Sequence, residues 1–227
     1  MPFRLRRGAP TESGRLEAFS DGVFAVAITL LALDLARIHA DPGATPPVTL
    51  FKSLADQWPT LLAFAGAFAF VGVAWTNHHN VFVRVKAVSR SLNAANLLLL
   101  AGVAVVPWAT TNLAEALGSS GTEPGREAIL LYAAVTTAGA ITWGLLFHVL
   151  ASNPDLLDDP EHAHGFATDR AGSLIGMGAT AGAAAVGWLL SPIVGTMLLA
   201  LVPVLFAVAS EGFERTGQHL PPTSGTT

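Results

Sequence analysis

The sequence lacks cysteine and has little charge. Its 227 residues include no Cys, which excludes disulfides, thiolate metal sites and cysteine nucleophiles. Only 12% of the residues are charged, about half the share in an average soluble domain. The net charge of −4 leaves no basic footprint for nucleic acid. With 52% hydrophobic residues and a mean hydropathy of +0.52, the composition predicts a membrane protein.

Long apolar runs are the main feature of the sequence. A helix needs about 20 mostly apolar residues to cross a bilayer. Six segments meet this requirement: Ala18–Leu35, Pro59–Thr76, Leu92–Thr111, Ala128–Leu150, Ala171–Leu190 and Ile193–Ala209. We therefore predict an all-α, multi-pass membrane protein with a six-helix transmembrane domain over 15–212. It lies between a cytoplasmic N-terminal segment (1–14) and a polar C-terminal tail (213–227).

Lysine and arginine are unevenly distributed among the predicted loops. If the N-terminus is inside, nine of the twelve fall on the inner side, and Arg37, Lys52 and Arg126 fall on the outer side. The positive-inside rule then predicts cytoplasmic termini in the plasma membrane. The N-terminal arginines before an apolar run resemble a secretory signal. Because Asp34 and Arg37 occupy the place of a small-residue cleavage region, we expect the first helix to be retained.

The first apolar run carries a bulky stripe. Val26, Thr29, Leu30 and Leu33 recur at i, i+3, i+4 and i+7, which places them on one side of a helix. Asp21 lies at least about 80° around the helix from each of them. The stripe and the carboxylate therefore face different surroundings. Spacing alone favours a stripe that faces lipid or a partner helix.

A polar cluster ends the second predicted helix. It holds Trp75, Asn77, His78 and His79, and Asn96 enters the third helix at the same depth. Adjacent helical residues point about 100° apart, so the two histidines are poorly placed to ligate one metal. Paired structural histidines are the simpler interpretation.

Arg15 and Asp21 complete the charged groups near this depth. They are six residues apart, so they do not face each other within one helix. Ionisable groups in a membrane helix are costly unless paired, and each therefore needs a partner on another helix. We predict one polar layer in which Arg15, Asp21, the histidine pair and the asparagines satisfy one another.

Other chemical motifs are weak. His162 and His164 lie beside acidic residues and could bind a metal, but a solvated acidic loop explains them more simply, and we predict no metal site. The sequence has no P-loop, Gly-x-Ser-x-Gly, His-Glu-x-x-His or Thr-Val-Gly-Tyr-Gly motif. We therefore predict neither an enzyme nor a channel with a P-loop filter.

Two motifs resemble the transmembrane protein 175 family, the endolysosomal potassium channels of animals and their prokaryotic relatives. They are Arg15-x-x-x-Phe19-Ser20-Asp21 with the following Gly-Val-Phe-Ala-Val-Ala-Ile-Thr-Leu-Leu, and Trp75-x-Asn77-His78-His79 with Asn96 and Pro107 in the next helix. The resemblance covers Arg15–Pro107, and a single six-helix unit is similar to the prokaryotic form.

The resemblance implies a homotetrameric channel in the bilayer whose first helix lines a central pore. It implies apolar constrictions at Val26, Leu30 and Leu33, with Thr29 hydroxyls between them. Potassium would be the permeant ion, modestly preferred over sodium, and no cofactor is implied. Arg15 and Asp21 would be scaffold residues.

Two rival functions remain open on the sequence. A proton-coupled secondary transporter would titrate Asp21 and His78 or His79 during its cycle. A membrane scaffold would carry no flux at all. For the channel, acidic residues at the outer mouth, Asp34 and Asp41, would concentrate cations.

Overall fold

The computed structural model describes residues 12–41, 43–119 and 122–217, and their side chains apart from those of 37 and 205–217. The regular structure of these ranges is helical, with two isolated β-bridges. The helices are α1 (Glu12–Ala32), α2 (Leu50–Asp56), α3 (Trp58–Phe82), α4 (Arg90–Gly118), α5 (Thr122–Ser152), α6 (His162–Leu189) and α7 (Pro192–Gly217). Short 3₁₀ turns follow α1 (Leu33–Arg37) and α5 (Pro154–Leu156).

Five of these helices are long and apolar enough to cross a membrane: α1, α3, α4, α5 and α6. The predicted all-α membrane protein is therefore confirmed. In α7, the apolar stretch with described side chains is the shorter Pro192–Val204, so the sixth crossing stays a prediction. The short helix α2 was not predicted, because seven residues are too few to give a clear periodicity.

The antiparallel spans define two ends of the bundle. We call the end that holds Glu12, Phe82 and Arg90 the proximal end. The end that holds Ala32, Trp58 and Gly118 is the distal end. The connection from α1 to α3, which includes α2, lies at the distal end.

Local signals in the sequence account for several helix starts. The Ser89 hydroxyl accepts a hydrogen bond from the Leu92 N–H at 3.1 Å and caps α4. Thr49 caps α2 through the Lys52 N–H. Pro59 occupies the first turn of α3, where its missing N–H leaves no helical bond unmade. These contacts determine the residue at which each helix begins.

The main core joins α1 to α3 and α4. Phe24, Ala27 and Leu31 of α1 are almost fully buried in this core, together with Val71 of α3 and Leu99 of α4. Because apolar association inside a bilayer depends on close packing rather than on water exclusion, this tight fit holds α1 against its neighbours along one side.

The α6–α7 hairpin depends on glycine. A side chain at Gly187 or Gly195 would overlap Ile129 of α5, and the two glycines also contact each other. Only hydrogen at these positions lets the three helices approach so closely.

A backbone clasp joins two loops at the proximal end. Val85 pairs with Leu157 in an antiparallel bridge. The Lys86 N–H donates to the Leu156 carbonyl at 2.9 Å, and the Asp158 N–H donates to the Arg84 carbonyl at 3.0 Å. The clasp ties the α3–α4 connection to the α5–α6 connection.

Candidate ion pathway and polar layer

Helix α1 has two opposite sides. Ser20, Phe24, Ala27 and Leu31 recur at spacings of four, three and four and are buried against α3 and α4. The other side is open in one copy of the chain. We call Val26, Thr29 and Leu30 on that open side, together with Leu33 at the start of the 3₁₀ turn that follows, the α1 stripe.

The α1 stripe is strongly exposed for apolar side chains. Val26 is 57% exposed and Leu33 is 65% exposed, and Leu30 is exposed as well. The Thr29 hydroxyl donates to the Val26 carbonyl at 2.8 Å, which leaves its oxygen lone pairs facing outward. The residues predicted from spacing therefore do share one unpacked surface.

The exposed side continues toward the proximal end through Gly22 and Phe19. Phe19, which we grouped with the polar network because it belongs to the Arg15-x-x-x-Phe19-Ser20-Asp21 motif, has its ring on the same open side as the α1 stripe. A side chain added at Gly22 would meet nothing within 4 Å. The open side of α1 thus extends over positions 19, 22, 26 and 29, a three–four repeat that Leu33 continues in the following turn.

A buried hydrogen-bond chain joins α1, α3 and α4. His78 Nε2 lies 2.8 Å from Asn96 Oδ1, Asn96 Nδ2 donates to Ser20 Oγ at 3.0 Å, and Ser20 Oγ donates to the Leu16 carbonyl at 2.9 Å. Ser20 has a single hydroxyl proton, which it donates to Leu16, so it can only accept from Asn96. The Asn96 amide group therefore faces Ser20, and its oxygen is left to accept from His78. His78 Nε2 carries the proton that Asn96 accepts.

The surroundings of His78 favour a neutral ring. The residue is fully buried. Its ring stacks on that of Phe82, with the two ring centroids 4.2 Å apart, and packs near the rings of Phe24 and Trp143. Its Nδ1 has no hydrogen-bond partner among the described residues. Protonation there would bury a charge and an unpaired donor. The contact with Asn96 thus ties the buried His78 of α3 to α4.

Two further contacts join α1 to α3, one helical turn apart. Trp75 Nε1–H donates to Asp21 Oδ1 at 2.9 Å, and His79 Nδ1 lies 2.9 Å from Glu17 Oε1. The Trp75 and His79 rings stack at 6.4 Å. The predicted Asp21–histidine contact is thus replaced by Asp21–Trp75. Glu17 was not predicted, although its position four residues before Asp21 places it on the same side of α1.

Arg15 and Asn77 lie outside this network. Arg15 is exposed, and within 12–41, 43–119 and 122–217 neither its side chain nor that of Asn77 makes a hydrogen bond or ion pair. The structure therefore brings together Ser20, Asp21, Trp75, His78, His79 and Asn96. We call these six residues and Glu17 the polar layer.

The distal end of α1 is also bonded to α4. The Thr111 hydroxyl lies 2.7 Å from Asp34 Oδ2 and 3.1 Å from the Pro107 carbonyl. Asp34, Asp56 and Glu115 border a cavity of about 270 Å³ at this end. Asp41 caps its own turn instead, because its carboxylate accepts from the Gly43 N–H at 3.1 Å.

The acidic loop at the proximal end is organised by its own contacts. Asp158 Oδ1 accepts from the Asp159 N–H at 2.8 Å and lies 3.2 Å from His162 Nδ1. The Asp159 N–H, and secondarily His162, hold the pKa of Asp158 below its usual range. Within the described residues no group of three or more His, Asp or Glu side chains could hold a metal ion.

The chain is similar to known channel proteins over most of its length. The family model described as "Endosomal/lysosomal potassium channel TMEM175" matches residues 15–107. A potassium channel of Streptomyces collinus is 44% identical over 147 residues, which are 65% of this chain and 68% of that one. The chain belongs to the TMEM175 family. The matched stretch contains α1, α3 and α4 as far as Pro107, and thus both the α1 stripe and the polar layer.

Other TMEM175 proteins extend the comparison. The crystal structure of a lysosomal potassium-selective channel TMEM175 homologue from Chamaesiphon minutus has a TM-score of 0.74 and 33% identity, covering 88% of this chain and 98% of that one. The mouse endosomal/lysosomal proton channel TMEM175 is 38% identical over 112 residues, 48% of this chain and 22% of the mouse protein. The resemblance inferred from the sequence motifs is thereby confirmed, and a TMEM175 family member is an ion channel rather than an enzyme.

Proposed function

We propose that this TMEM175 chain forms a homotetrameric potassium channel of the plasma membrane, with α1 of each copy lining a central pore. The single observation that carries the proposal is the open side of α1. Its opposite side is packed into the core, yet Val26, Leu30 and Leu33 remain uncovered in one copy. Four copies around a cyclic axis would bring these side chains together.

The closed pore would be held by apolar rings. Four valine or leucine side chains at one level make a narrow hydrophobic constriction that excludes water and thus ions. Val26, Leu30 and Leu33 would form three such levels along the axis. The outward-facing Thr29 oxygens would supply a polar ring between them.

Potassium preference would be modest in this arrangement. The α1 stripe offers ring size and threonine hydroxyls rather than a cage of backbone carbonyls, so dehydration of K⁺ would be only partly compensated. The acidic distal cavity would raise the local cation concentration through its potential. We assign this role to Asp34 together with Asp56 and Glu115, because Asp41 caps its own turn.

The membrane orientation follows from the charge distribution. We place both termini and the proximal end in the cytoplasm, with α7 as the sixth crossing. The arginines and lysine around the α3–α4 connection then lie on the inner side. The distal acidic cavity opens to the outside.

The polar layer fits a scaffold better than a proton-coupled carrier. A carrier would cycle a proton between Asp21 and His78 or His79, whereas His78 is buried and bonded to Asn96, and Asp21 accepts from Trp75 rather than contacting a histidine. The layer instead fastens the proximal half of α1, so that opening requires α1 to tilt or rotate with its partners.

The reversal potential tests this function. Purified protein is reconstituted in a planar bilayer with K⁺ on one side and Na⁺ on the other. We expect discrete currents that reverse toward the K⁺ equilibrium potential. Currents that reverse at zero voltage would contradict a preference for K⁺ over Na⁺. Saturable flux without discrete currents, measured on protein shown to be folded, would favour the carrier.

A further inference from the structure

Helix α2 presents an apolar side that the other described residues of the chain leave uncovered. Phe51 is 83% exposed, and Leu50 and Trp58 are also exposed. At 100° per residue these three side chains, with Leu54, fall within one arc of about 100°. So large an uncovered apolar arc indicates an interaction surface.

The opposite side of α2 is polar and faces the channel body. Ser53 is buried, and Asp56 borders the distal cavity beside Asp34 and Thr111. Lys52 Nζ lies 2.9 Å from Asp56 Oδ2 on this side. The apolar arc of α2 therefore points away from the cavity, toward the periphery of the bundle.

We infer that α2 lies in the membrane interface, with Leu50, Phe51 and Trp58 inserted into the lipid of the leaflet at the distal end. The surface is continuous with the membrane-spanning part of the chain, because only Gln57 separates α2 from α3, and α3 begins at Trp58. Tryptophan is enriched at the boundary between lipid and water. An apolar arc opposite a charged one is the pattern of helices that lie in this boundary.

The charge of α2 indicates which kind of lipid headgroup the helix needs. Lys52 is paired with Asp56, so the helix has no free positive charge to attract acidic headgroups. The anchor therefore depends on apolar insertion and works equally in zwitterionic lipid. Because Asp56 is on the same short helix, the anchored α2 also sets the position of one wall of the distal cavity.

Spin labelling tests this inference directly, since the chain has no native cysteine. Phe51→Cys and, as matched control, Lys52→Cys are labelled with a nitroxide and placed in phosphatidylcholine nanodiscs. We expect the Phe51→Cys label to be more accessible to oxygen than to a water-soluble nickel complex, at a depth of about 5–10 Å below the headgroups. The Lys52→Cys label should show the reverse order.

Two results would overturn the inference. A Phe51→Cys label as accessible to nickel as the Lys52→Cys label would place this arc in water. A label immobile and shielded from both reagents would place a neighbouring copy of the chain on it. Neither readout requires ion flux, so a failure here is distinct from a failure of the proposed channel function.

Discussion

At the residue scale, Asn96 is the side chain that links three helices. It accepts from His78 of α3 and donates to Ser20 of α1 while belonging to α4 itself. All three residues are fully buried. Removing Asn96 therefore leaves buried polar groups without partners, which costs more than the hydrogen bonds themselves contribute.

Asn96→Ala should lower the free energy of unfolding by roughly 2–3 kcal/mol, because the His78 N–H and the Ser20 oxygen lose their partners. Denaturation of the detergent-solubilised protein measures this loss. Asn93→Ala is the control, since Asn93 is exposed on the same helix and should change stability by less than about 0.5 kcal/mol. Equal effects of the two substitutions would show that the buried chain is not a stabilising contact.

Val26→Asn and Leu30→Asn should each raise the basal K⁺ leak of proteoliposomes. An amide at a closed apolar ring hydrates the constriction and removes the barrier to ions. Ile141→Asn is the control, because Ile141 is an exposed apolar residue of α5 away from the proposed pore. Unchanged leak in both α1 variants would place the α1 stripe against lipid.

The sequence predicted the membership of the polar layer better than its pairing. The predicted topology indicated that Asp21, the histidines and Asn96 share one depth at the inner membrane face, and the structure brings them together. Which atoms meet depends on helix rotation and separation, and spacing along one helix contains no such information. Asp21 thus pairs with Trp75 rather than with a histidine, and His79 with the unpredicted Glu17.

At the element scale, α1 is fastened at both ends. The polar layer holds its proximal half, and Asp34, in the turn that follows it, contacts Thr111 of α4 at the distal end. The middle of the helix is held by apolar packing, in which Phe24, Ala27 and Leu31 are the most buried side chains. In the proposed channel, an opening movement of α1 would therefore strain one of these contacts or carry its partners along.

Thr111→Val should loosen the distal fastening by about 1 kcal/mol, since a partly buried carboxylate loses a hydroxyl donor. A double-mutant cycle with Asp34→Asn, measured by denaturation, separates this contact from the hydrogen bond of Thr111 to its own helix. Thr142→Val is the control, because that hydroxyl bonds only within α5. A coupling energy near zero would mean that Asp34 is not held by Thr111.

The membrane-spanning helices could be predicted from the apolar composition of their segments, whereas helix α2 in the distal connection could not. Long apolar runs dictate helices in a bilayer, because every backbone group must be bonded internally, and five spans appeared where hydropathy predicted them. Helix α2 was missed because its apolar arc covers barely two turns, and its exposure becomes evident only once α3 is placed beside it.

At the scale of the whole molecule, the proposed pore needs more than one copy of the chain. The proposed pore exists only when several α1 helices surround one axis, and a closed ring requires cyclic symmetry. Native mass spectrometry should therefore give a particle of four times the 23.5 kDa chain mass. A monomer that still conducts would contradict the shared pore.

The most direct test of the central claim is silver accessibility along α1. The cysteine-free chain permits a single reactive position, and Ag⁺ is a small monovalent cation that reacts with thiols. If the α1 stripe lines the ion pathway, Ag⁺ should irreversibly reduce the bilayer current of Thr29→Cys and leave that of Ala27→Cys, on the buried side of α1, unchanged. A Thr29→Cys current that persists in Ag⁺ would show that ions do not pass along this side of the helix.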